Sequence, residues 1–185
     1  ELAESVCRIA VEIGGIKCAL VRRVDPADGM LVPVAWYGPE TGFIGRERLA
    51  ADGSAGVSSV AFASARPSIV TDMRGNAVTI HAASQDIARK GVHSAAAFPL
   101  LESGRAFGTF AVFGPGTGYF DDEMAALLEE TAASLAFAHE KFALEAAQMG
   151  TWDWDLTRNE VCWSDNLAPM HGLPAARWEL SLPAS

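Results

Sequence analysis

Three polar side chains are the best candidates for contact with a bound small molecule. Asp72 follows the short apolar run "RPSIV", His81 lies in a stretch without clear periodicity, and Ser94 opens the run "SAAAFPLL". A carboxylate, an imidazole and a hydroxyl together offer hydrogen-bond donors and acceptors for a polar ligand. No nucleophile elbow of the Gly-x-Ser-x-Gly kind occurs in the sequence. We therefore predict binding rather than catalysis, and no catalytic residues.

Aromatic side chains are candidates for the apolar wall of the same site. Aromatic residues at these spacings fill the core of a domain more often than they contact a ligand. Only a cavity in the packing would give them a binding role, so both interpretations stay open. The set comprises Trp36, Tyr37, Phe43, Phe62 and Phe98.

The histidine and cysteine spacing indicates neither a metal site nor a disulfide. No second ligand at regular spacing accompanies His81, and a lone histidine in a loop is more often a surface or hydrogen-bonding residue. The three cysteines, Cys7, Cys18 and Cys162, form no CxxC pair. Cys7 and Cys18 fall in predicted core positions, where cysteine acts as a small hydrophobe. We predict no metal and a reducing, cytoplasmic setting.

Composition excludes two classes of partner. The chain carries 14 Lys and Arg against 23 Asp and Glu, a formal net charge of −9. Nucleic acids and anionic membrane surfaces attract basic patches, and the sequence has no basic run. The longest apolar stretches are far shorter than the roughly 20 residues that span a bilayer. We expect no nucleic acid and no membrane contact in this part of the protein.

The first half of the chain predicts a helix, a hairpin, a second helix and a strand. Apolar residues in 2–13 recur at helical spacing until Gly14-Gly15 ends the pattern. Strand-like runs at 16–24 and 30–38 are joined by "DPADG", which suits a tight reversal. "GVSSVAFASA" predicts a short helix and "RPSIVTDM" a short strand, whereas "SQDIARKG" predicts one or two helical turns ending at Gly91.

The second half predicts a hairpin and a long helix. "HSAAAFPLL" and "AFGTFAVFG" are apolar runs of strand length, joined by the Gly-containing turn "ESGR". Gly108 inside the second run indicates a bulge or a close approach of two backbones. The long helix begins after Phe120 with acidic residues in its first turn, which favours the helix dipole.

A seven-residue apolar repeat runs along this long helix. Its members are spaced as in the seam of a helical coiled coil, and the helix is longer than one small domain needs for its own core. We therefore predict a homodimer that uses the N- and C-terminal helices. The seam residues are Leu128, Leu135, Phe142 and Met149.

The order and residues of these elements resemble the GAF family of sensor domains. The resemblance covers about residues 2–145 and is carried by "GVHSAAAFPLLESGRAFGTFAVFG", by "ARPSIVTDM" and by "FDDEMAALLEETAASLAFAHE". Phe110 stands where the family pattern has Leu. The resemblance implies an α+β fold with an antiparallel sheet of about six strands, N- and C-terminal helices on one face, and a loop-covered pocket on the other.

Motifs of the known GAF ligands are not met. The cyclic nucleotide pattern requires Asn-Lys, but Asn76 is followed by Ala77, and the acidic residues directly follow Phe120. Bilin attachment requires a cysteine between the third strand and the hairpin, and residues 72–93 contain none. A GAF branch that reduces free methionine sulfoxide needs pocket cysteines, a requirement that Cys7 and Cys18 do not meet. The cofactor is therefore unknown.

The sequence after Met149 resembles the opening of a PAS domain. "MGTWDWDLTRNEVCWSDNLAPMHGLP" matches that opening, and "TWDWDL" and "EVCWS" predict two paired strands. We assign residues 1–140 to a GAF domain, 141–148 to a helical linker and 149–185 to an incomplete PAS start. A PAS domain closes its core with about 100 residues.

The resemblance implies a sensory module of a multidomain bacterial signalling protein. It would bind an unidentified small ligand, or pass a conformational signal through a dimeric helical linker to a histidine kinase or a cyclic-di-GMP enzyme. The first alternative is a ligand-free dimerisation spacer, and the second is a methionine sulfoxide reductase. The sequence names neither the ligand nor the output domain.

Overall fold

A computed structural model of the chain forms two compact units, Glu1–Ala136 and Phe137–Ser185. Each unit is described below by itself. The residues that the structure describes are 2–38, 47–74, 76, 91–146, 151–155, 157, 160–164, 167 and 179–181.

The first unit begins with helix α1 and a β-hairpin. Helix α1 spans Leu2–Glu12, strand β1 spans Cys18–Val24 and strand β2 spans Leu31–Tyr37. The turn between the strands closes with the Gly29 amide donating to the Asp25 carbonyl at 2.8 Å. Arg48 bridges the carboxylates of Asp25 and Asp28 and so holds this turn. These elements confirm the helix and hairpin predicted for residues 2–38.

The middle of the unit contributes one short helix and three strands. Helix α2 spans Gly56–Ser64, strand β3 spans Ser68–Val70, strand β4 spans Ser94–Glu102 and strand β5 spans Arg105–Gly114. The β4–β5 hairpin and the α2 helix are confirmed at the predicted positions. The helical turns predicted from "SQDIARKG" lie almost wholly outside the described residues.

Five described strands form one antiparallel sheet in the order β2-β1-β5-β4-β3. The sequence predicted about six strands in this sheet, and the described residues contain five. Gly108 lies where two strands approach closely, because a Cβ on it would stand 2.3 Å from the Arg22 carbonyl oxygen. The predicted close backbone approach at Gly108 is therefore confirmed.

Helix α3 spans Asp122–Ala146 and is capped at its start. The Asp121 carboxylate accepts a hydrogen bond from the Met124 amide at 2.9 Å, which satisfies one of the free donors of the first turn. Asp122 and Glu123 follow in that turn and favour the helix dipole, as predicted. The Tyr119 hydroxyl donates to the Gly14 carbonyl at 2.7 Å and joins the start of α3 to the end of α1.

The sheet is covered on both faces. One face packs against α1 and α3, and we call this cluster the helix-pair core; it includes Cys7, Phe98, Phe110, Val112, Leu128 and Leu135. The other face packs against α2, and we call this cluster the α2-side core; it includes Cys18, Leu20, Val57, Ala61, Ala97 and Ala111. The α+β architecture with helices on both faces agrees with the predicted fold class.

The predicted dimer seam on α3 divides between core and surface. Leu128 and Leu135 are buried in the helix-pair core, so neither can face a second chain while that core stays packed. Phe142 is 60% exposed. Met149 lies outside the described residues. The sheet covers the first half of the apolar stripe, through Leu128 and Leu135.

The second unit contains a small antiparallel sheet. Strands β6, Trp152–Asp155, and β7, Glu160–Trp163, pair as predicted, and β8, Glu179–Ser181, adds to β7. Trp152 is 63% exposed and Trp154 is 44% exposed. Within the described residues, these two rings are therefore largely in contact with solvent.

Candidate functional site

The candidate ligand contacts predicted from sequence do not gather in one place. Ser94 and Phe98 are fully buried on the face of β4 that packs against α1 and α3. Phe98 belongs to the helix-pair core, and the Ser94 hydroxyl would lie 2.5 Å from a Cβ on Gly114, beside the Tyr119 ring. Side chains two residues apart in a strand share a face. The structure thus places both residues away from α2, on the face opposite the expected pocket.

Trp36 and Tyr37 lie on β2, at the edge of the sheet. Trp36 is 45% exposed. The Tyr37 hydroxyl donates to the Glu12 carboxylate at 2.6 Å, and this hydrogen bond raises the pKa of Tyr37. An open groove of about 530 Å³ is lined by Glu4, Ser5, Arg8, Trp36 and Tyr37. Tyr37 pairs with Ala19 on the face of α1, whereas Trp36 pairs with Leu20 and therefore carries its side chain on the α2 face of the sheet edge.

Phe62 and Asp72 lie apart from each other and from the other candidate ligand contacts. Phe62 is half-buried and packs against a small cluster of Leu31, Leu49 and Ala55. The Asp72 carboxylate pairs with Arg74 at 2.8 Å, and this hydrogen bonding lowers the pKa of Asp72 to about 2. Phe43 and His81 lie outside the described residues.

A buried arginine marks a different site, on the α2 side of the sheet. Arg22 follows Cys18 and Leu20 at every second position of β1, so its side chain shares their face. It is only 3% exposed, and its Nη1 donates to the Ser58 Oγ at 3.1 Å. Burial lowers the pKa of Arg22 to about 10, and the charge of Glu47 opposes this change. The guanidinium consequently stays positively charged at neutral pH.

Thr109 stands directly opposite Arg22 on β5. Paired residues in antiparallel strands carry their side chains on one face, about 5 Å apart at Cβ. Thr109 is fully buried, and its Oγ1 has no hydrogen-bond partner among the described residues. An unsatisfied buried hydroxyl costs about 1–3 kcal/mol, so this position calls for an explanation.

The start of α2 completes the polar part of this face. Ser58 lies in the first turn of the helix, and Ala55 at the N-cap gives no side-chain hydrogen bond. Ser59 is tied to the preceding loop, because its hydroxyl accepts from the Gly53 amide at 2.9 Å and donates to the Ala50 carbonyl. We call Arg22, Ser58 and Thr109 the arginine site.

Sequence reasoning missed this site although a signal was present. In "CALVRRV", Arg22 continues the alternate positions of Cys18 and Leu20. A charged residue at an inward position of a strand is rarely buried without a role. Period-two counting along β1 would have singled out Arg22 from its exposed neighbour Arg23.

The two described cysteines are buried in different clusters. Cys7 lies in the helix-pair core and Cys18 in the α2-side core. Burial raises the pKa of the Cys7 thiol to about 12, so essentially no thiolate forms at neutral pH. Because thiolates carry out sulfur redox chemistry, Cys7 in this state is a poor nucleophile.

We expect both buried thiols to be unreactive in the folded protein. A Cys162→Ser variant leaves only Cys7 and Cys18, and a thiol reagent such as Ellman's reagent should then label neither at pH 7 until denaturant is added. Rapid labelling of this variant under native conditions would contradict the assignment of both thiols to the core.

A family model for the GAF domain matches residues 1–140. The chain belongs to the GAF family. GAF domains are common sensory and regulatory modules of signalling proteins. None of the curated proteins compared with this GAF chain matches it.

Solved structures share the fold of this GAF domain. A GAF domain region of a membrane protein from Geobacter sulfurreducens PCA is 24% identical, with a TM-score of 0.65, and covers 75% of this chain and 91% of that one. The GAF domain of a phosphoenolpyruvate-protein phosphotransferase from Coxiella burnetii is 18% identical, with a TM-score of 0.66 and coverages of 78% and 84%.

An enzyme also shares the GAF fold. The free methionine-R-sulfoxide reductase from Neisseria meningitidis is 22% identical, with a TM-score of 0.63, and 75% of each chain is covered. At this identity, the likeness shows the fold alone. The described part of our chain contains no group of three or more His, Cys, Asp or Glu residues that could hold a metal ion. No helix within the described residues is long and apolar enough to cross a membrane.

Proposed function

We propose that this chain is the sensory and regulatory module of a bacterial multidomain signalling protein. In this proposal, a small ligand or repacking of a homodimer changes the geometry of helix α3, and the helix passes that change to an output domain. The observation that carries the proposal is α3 itself. It packs Leu128 and Leu135 into the domain and continues as one helix to Ala146.

Exposed apolar side chains on the two long helices support a dimer. On α1, Ile9 is 51% exposed and Ile13 is 82% exposed. On α3, Phe137 is 70% exposed and Phe142 is 60% exposed. Large exposed apolar side chains on helices commonly mark a protein interface. The proposed dimer therefore uses the surface of α1 and α3 rather than Leu128 and Leu135.

The proposal extends to the second unit and to the output. We propose that residues 149–185 begin a domain of the PAS type, which is supported by the β6–β7 hairpin. A histidine kinase or a cyclic-di-GMP enzyme would be the output, in a cytoplasmic setting. A regulatory rather than catalytic role is supported by the burial of Cys7 and Cys18.

Light scattering after size exclusion tests the dimer. We expect the chain to have a dimeric mass at micromolar concentration and the double variant Phe137→Glu, Phe142→Glu to have a monomeric one. Both rings are exposed, so the substitutions should leave the melting temperature of the monomer nearly unchanged. The carboxylates would be desolvated and unpaired in the interface, which opposes association.

A matched control separates this effect from a general change of the surface. Leu101→Glu replaces a 39% exposed apolar residue near the end of strand β4, which is part of neither helix. This variant should stay dimeric. A monomeric parent chain, or a double variant with an unchanged dimeric mass, would overturn the proposed interface. A ligand-free dimerisation spacer remains the alternative function. Binding of a small ligand would favour the sensory module over this spacer.

A further inference from the structure

We propose that helix α2 is a lid on the sheet, which opens while the rest of the GAF domain stays folded. The opening unit is the helix itself, Gly56–Ser64, and the face that it uncovers carries the arginine site. This motion lies within one domain, so it requires neither the proposed dimer nor an output domain.

Helix α2 buries few apolar side chains against the sheet, although it lies on β3, β4 and β5. Its four buried residues are Val57, Ser58, Ser59 and Ala61. Only the valine and the alanine of these four enter the α2-side core. Phe62 adds one half-buried ring, which packs beside Leu31. Because hydrophobic stabilisation grows with the apolar area removed from water, lifting α2 costs little of it.

Polar groups lie beneath α2. The Arg22 guanidinium is 3% exposed, and its Nη1 donates to the Ser58 Oγ at 3.1 Å. Burial lowers the pKa of Arg22 and the charge of Glu47 opposes this change, so the closed state already compensates the cation in part. Thr109 stands opposite Arg22, and its buried Oγ1 has no hydrogen-bond partner among the described residues. Opening α2 would hydrate both groups, which lowers the cost of opening.

Helix α2 has little stability of its own away from the sheet. It has nine residues, whereas isolated helices shorter than about 12–15 residues are marginal in water. Ala55 at the N-cap gives no side-chain hydrogen bond, and Ala65 at the C-cap has a left-handed backbone with φ 51°, which is unfavourable for alanine. A helix that lifts off the sheet should therefore unwind, and its amide protons should then exchange with solvent.

The opposite face of the sheet is built from larger side chains. The helix-pair core contains Phe98 and Phe110 from the sheet and Leu128 and Leu135 from α3. Separating α3 from the sheet would expose these large apolar side chains to water. We therefore expect α3 to leave the sheet only when the whole domain unfolds, whereas α2 opens below that limit.

Hydrogen–deuterium exchange of the full chain tests the lid, with mass spectrometry at several low concentrations of denaturant. Relative to their intrinsic rates, the amides of α2 should exchange at least about 10-fold faster than those of β4 and β5. The α2 rates should depend little on denaturant, because a small opening exposes little surface, whereas the β4 and β5 rates should rise steeply. Equal protection with equal denaturant slopes would mean that α2 opens only in global unfolding, and the lid would be wrong.

Two substitutions at the arginine site should change α2 exchange in opposite directions. Thr109→Val keeps the shape of the side chain, removes a buried hydroxyl that lacks a partner, and should slow the exchange about 5- to 100-fold. Ser58→Ala removes the hydrogen bond to Arg22 in the closed state and should speed the exchange about 10-fold.

Ser64→Ala is the matched control for Ser58→Ala. The Ser64 hydroxyl is exposed and donates to the Val60 carbonyl of the same helix, so its loss should change α2 exchange by less than about 3-fold. If the two serine variants act alike, or if Thr109→Val leaves α2 exchange unchanged, the arginine site does not control the opening and the proposal fails. Should Ser58→Ala fail to fold, Thr109→Val still decides.

A substitution in the helix-pair core separates lid opening from global unfolding. Phe98→Ala weakens the face of the sheet away from α2 and should speed exchange in β4 and β5 at least about 100-fold. Exchange in α2 should stay within about 3-fold of the parent, because the lid opens with the sheet still folded. Acceleration of α2 in parallel with β4 would contradict the lid. The dimer is measured separately by light scattering, so a failure here leaves the proposed function untouched.

Discussion

Replacing Phe98 with alanine is expected to lower the free energy of unfolding by about 3–5 kcal/mol. The ring is fully buried in the helix-pair core and stands opposite Phe110 on the neighbouring strand. Truncation would remove its contacts and leave a cavity between the sheet and helices α1 and α3, which cannot collapse freely. Denaturant unfolding followed by circular dichroism measures the loss.

The matched control lies on the same strand. Leu101→Ala removes a side chain that is 39% exposed, so its loss should stay below about 1 kcal/mol. If Phe98→Ala were as mild as Leu101→Ala, the ring would border a void. The binding role that the sequence suggested for Phe98 would then regain support.

Replacing Gly108 with alanine is expected to cost about 3 kcal/mol. The added Cβ would stand 2.3 Å from the Arg22 carbonyl oxygen and 3.3 Å from the Arg23 Cα. Both obstacles are backbone atoms of β1, a strand paired on both sides, so neither can move like the end of a flexible side chain. The measurement is again denaturant unfolding, with the slope of the transition compared between variants.

Gly116→Ala provides the comparison for Gly108→Ala. A Cβ on Gly116 meets nothing within 4 Å, so that substitution should change stability by less than about 0.5 kcal/mol. Equal stability of the two variants would mean that β1 and β5 do not approach as closely as the structure has them. The same substitution in both places removes any difference of residue type.

The order of helices and strands could be predicted because turn chemistry and apolar runs are local signals. "DPADG" and "ESGR" each close a hairpin, and Gly14-Gly15 follows the end of α1. Strands β6 and β7 could likewise be predicted, because two short strand-like runs are joined by polar residues. Each of these signals involves residues that are near one another in the chain.

The faces of the strands could not be predicted where both faces are buried. Strand β4 carries "SAAAF" without alternation between apolar and polar residues, because helices cover both sides of the sheet. An apolar run of this kind predicts a strand, but it does not predict which of its side chains face α2. Ser94 and Phe98, which the sequence offered as ligand contacts, lie on the face of α1 and α3, whereas Ala95 and Ala97 face α2.

The apolar repeat on α3 was ambiguous for a related reason. A seam of period 3.5 and a core stripe of period 3.6 differ by only about 20° per seven residues. Leu128 and Leu135 fit both, and tertiary packing rather than the sequence decides that they are core. Phe142 keeps the same spacing at a place where the structure leaves it 60% exposed.

The shared use of α3 by core and surface restricts the motions that can carry a signal. Turning the helix by one residue position, about 100°, would bring Leu128 and Leu135 out of the core. Exposing two leucines costs about 3–6 kcal/mol, more than the 1–3 kcal/mol that typically couples two sites. In the proposed signalling role, rotation of the whole helix would therefore be disfavoured. Bending or a small lengthwise shift of the helix would carry the change instead.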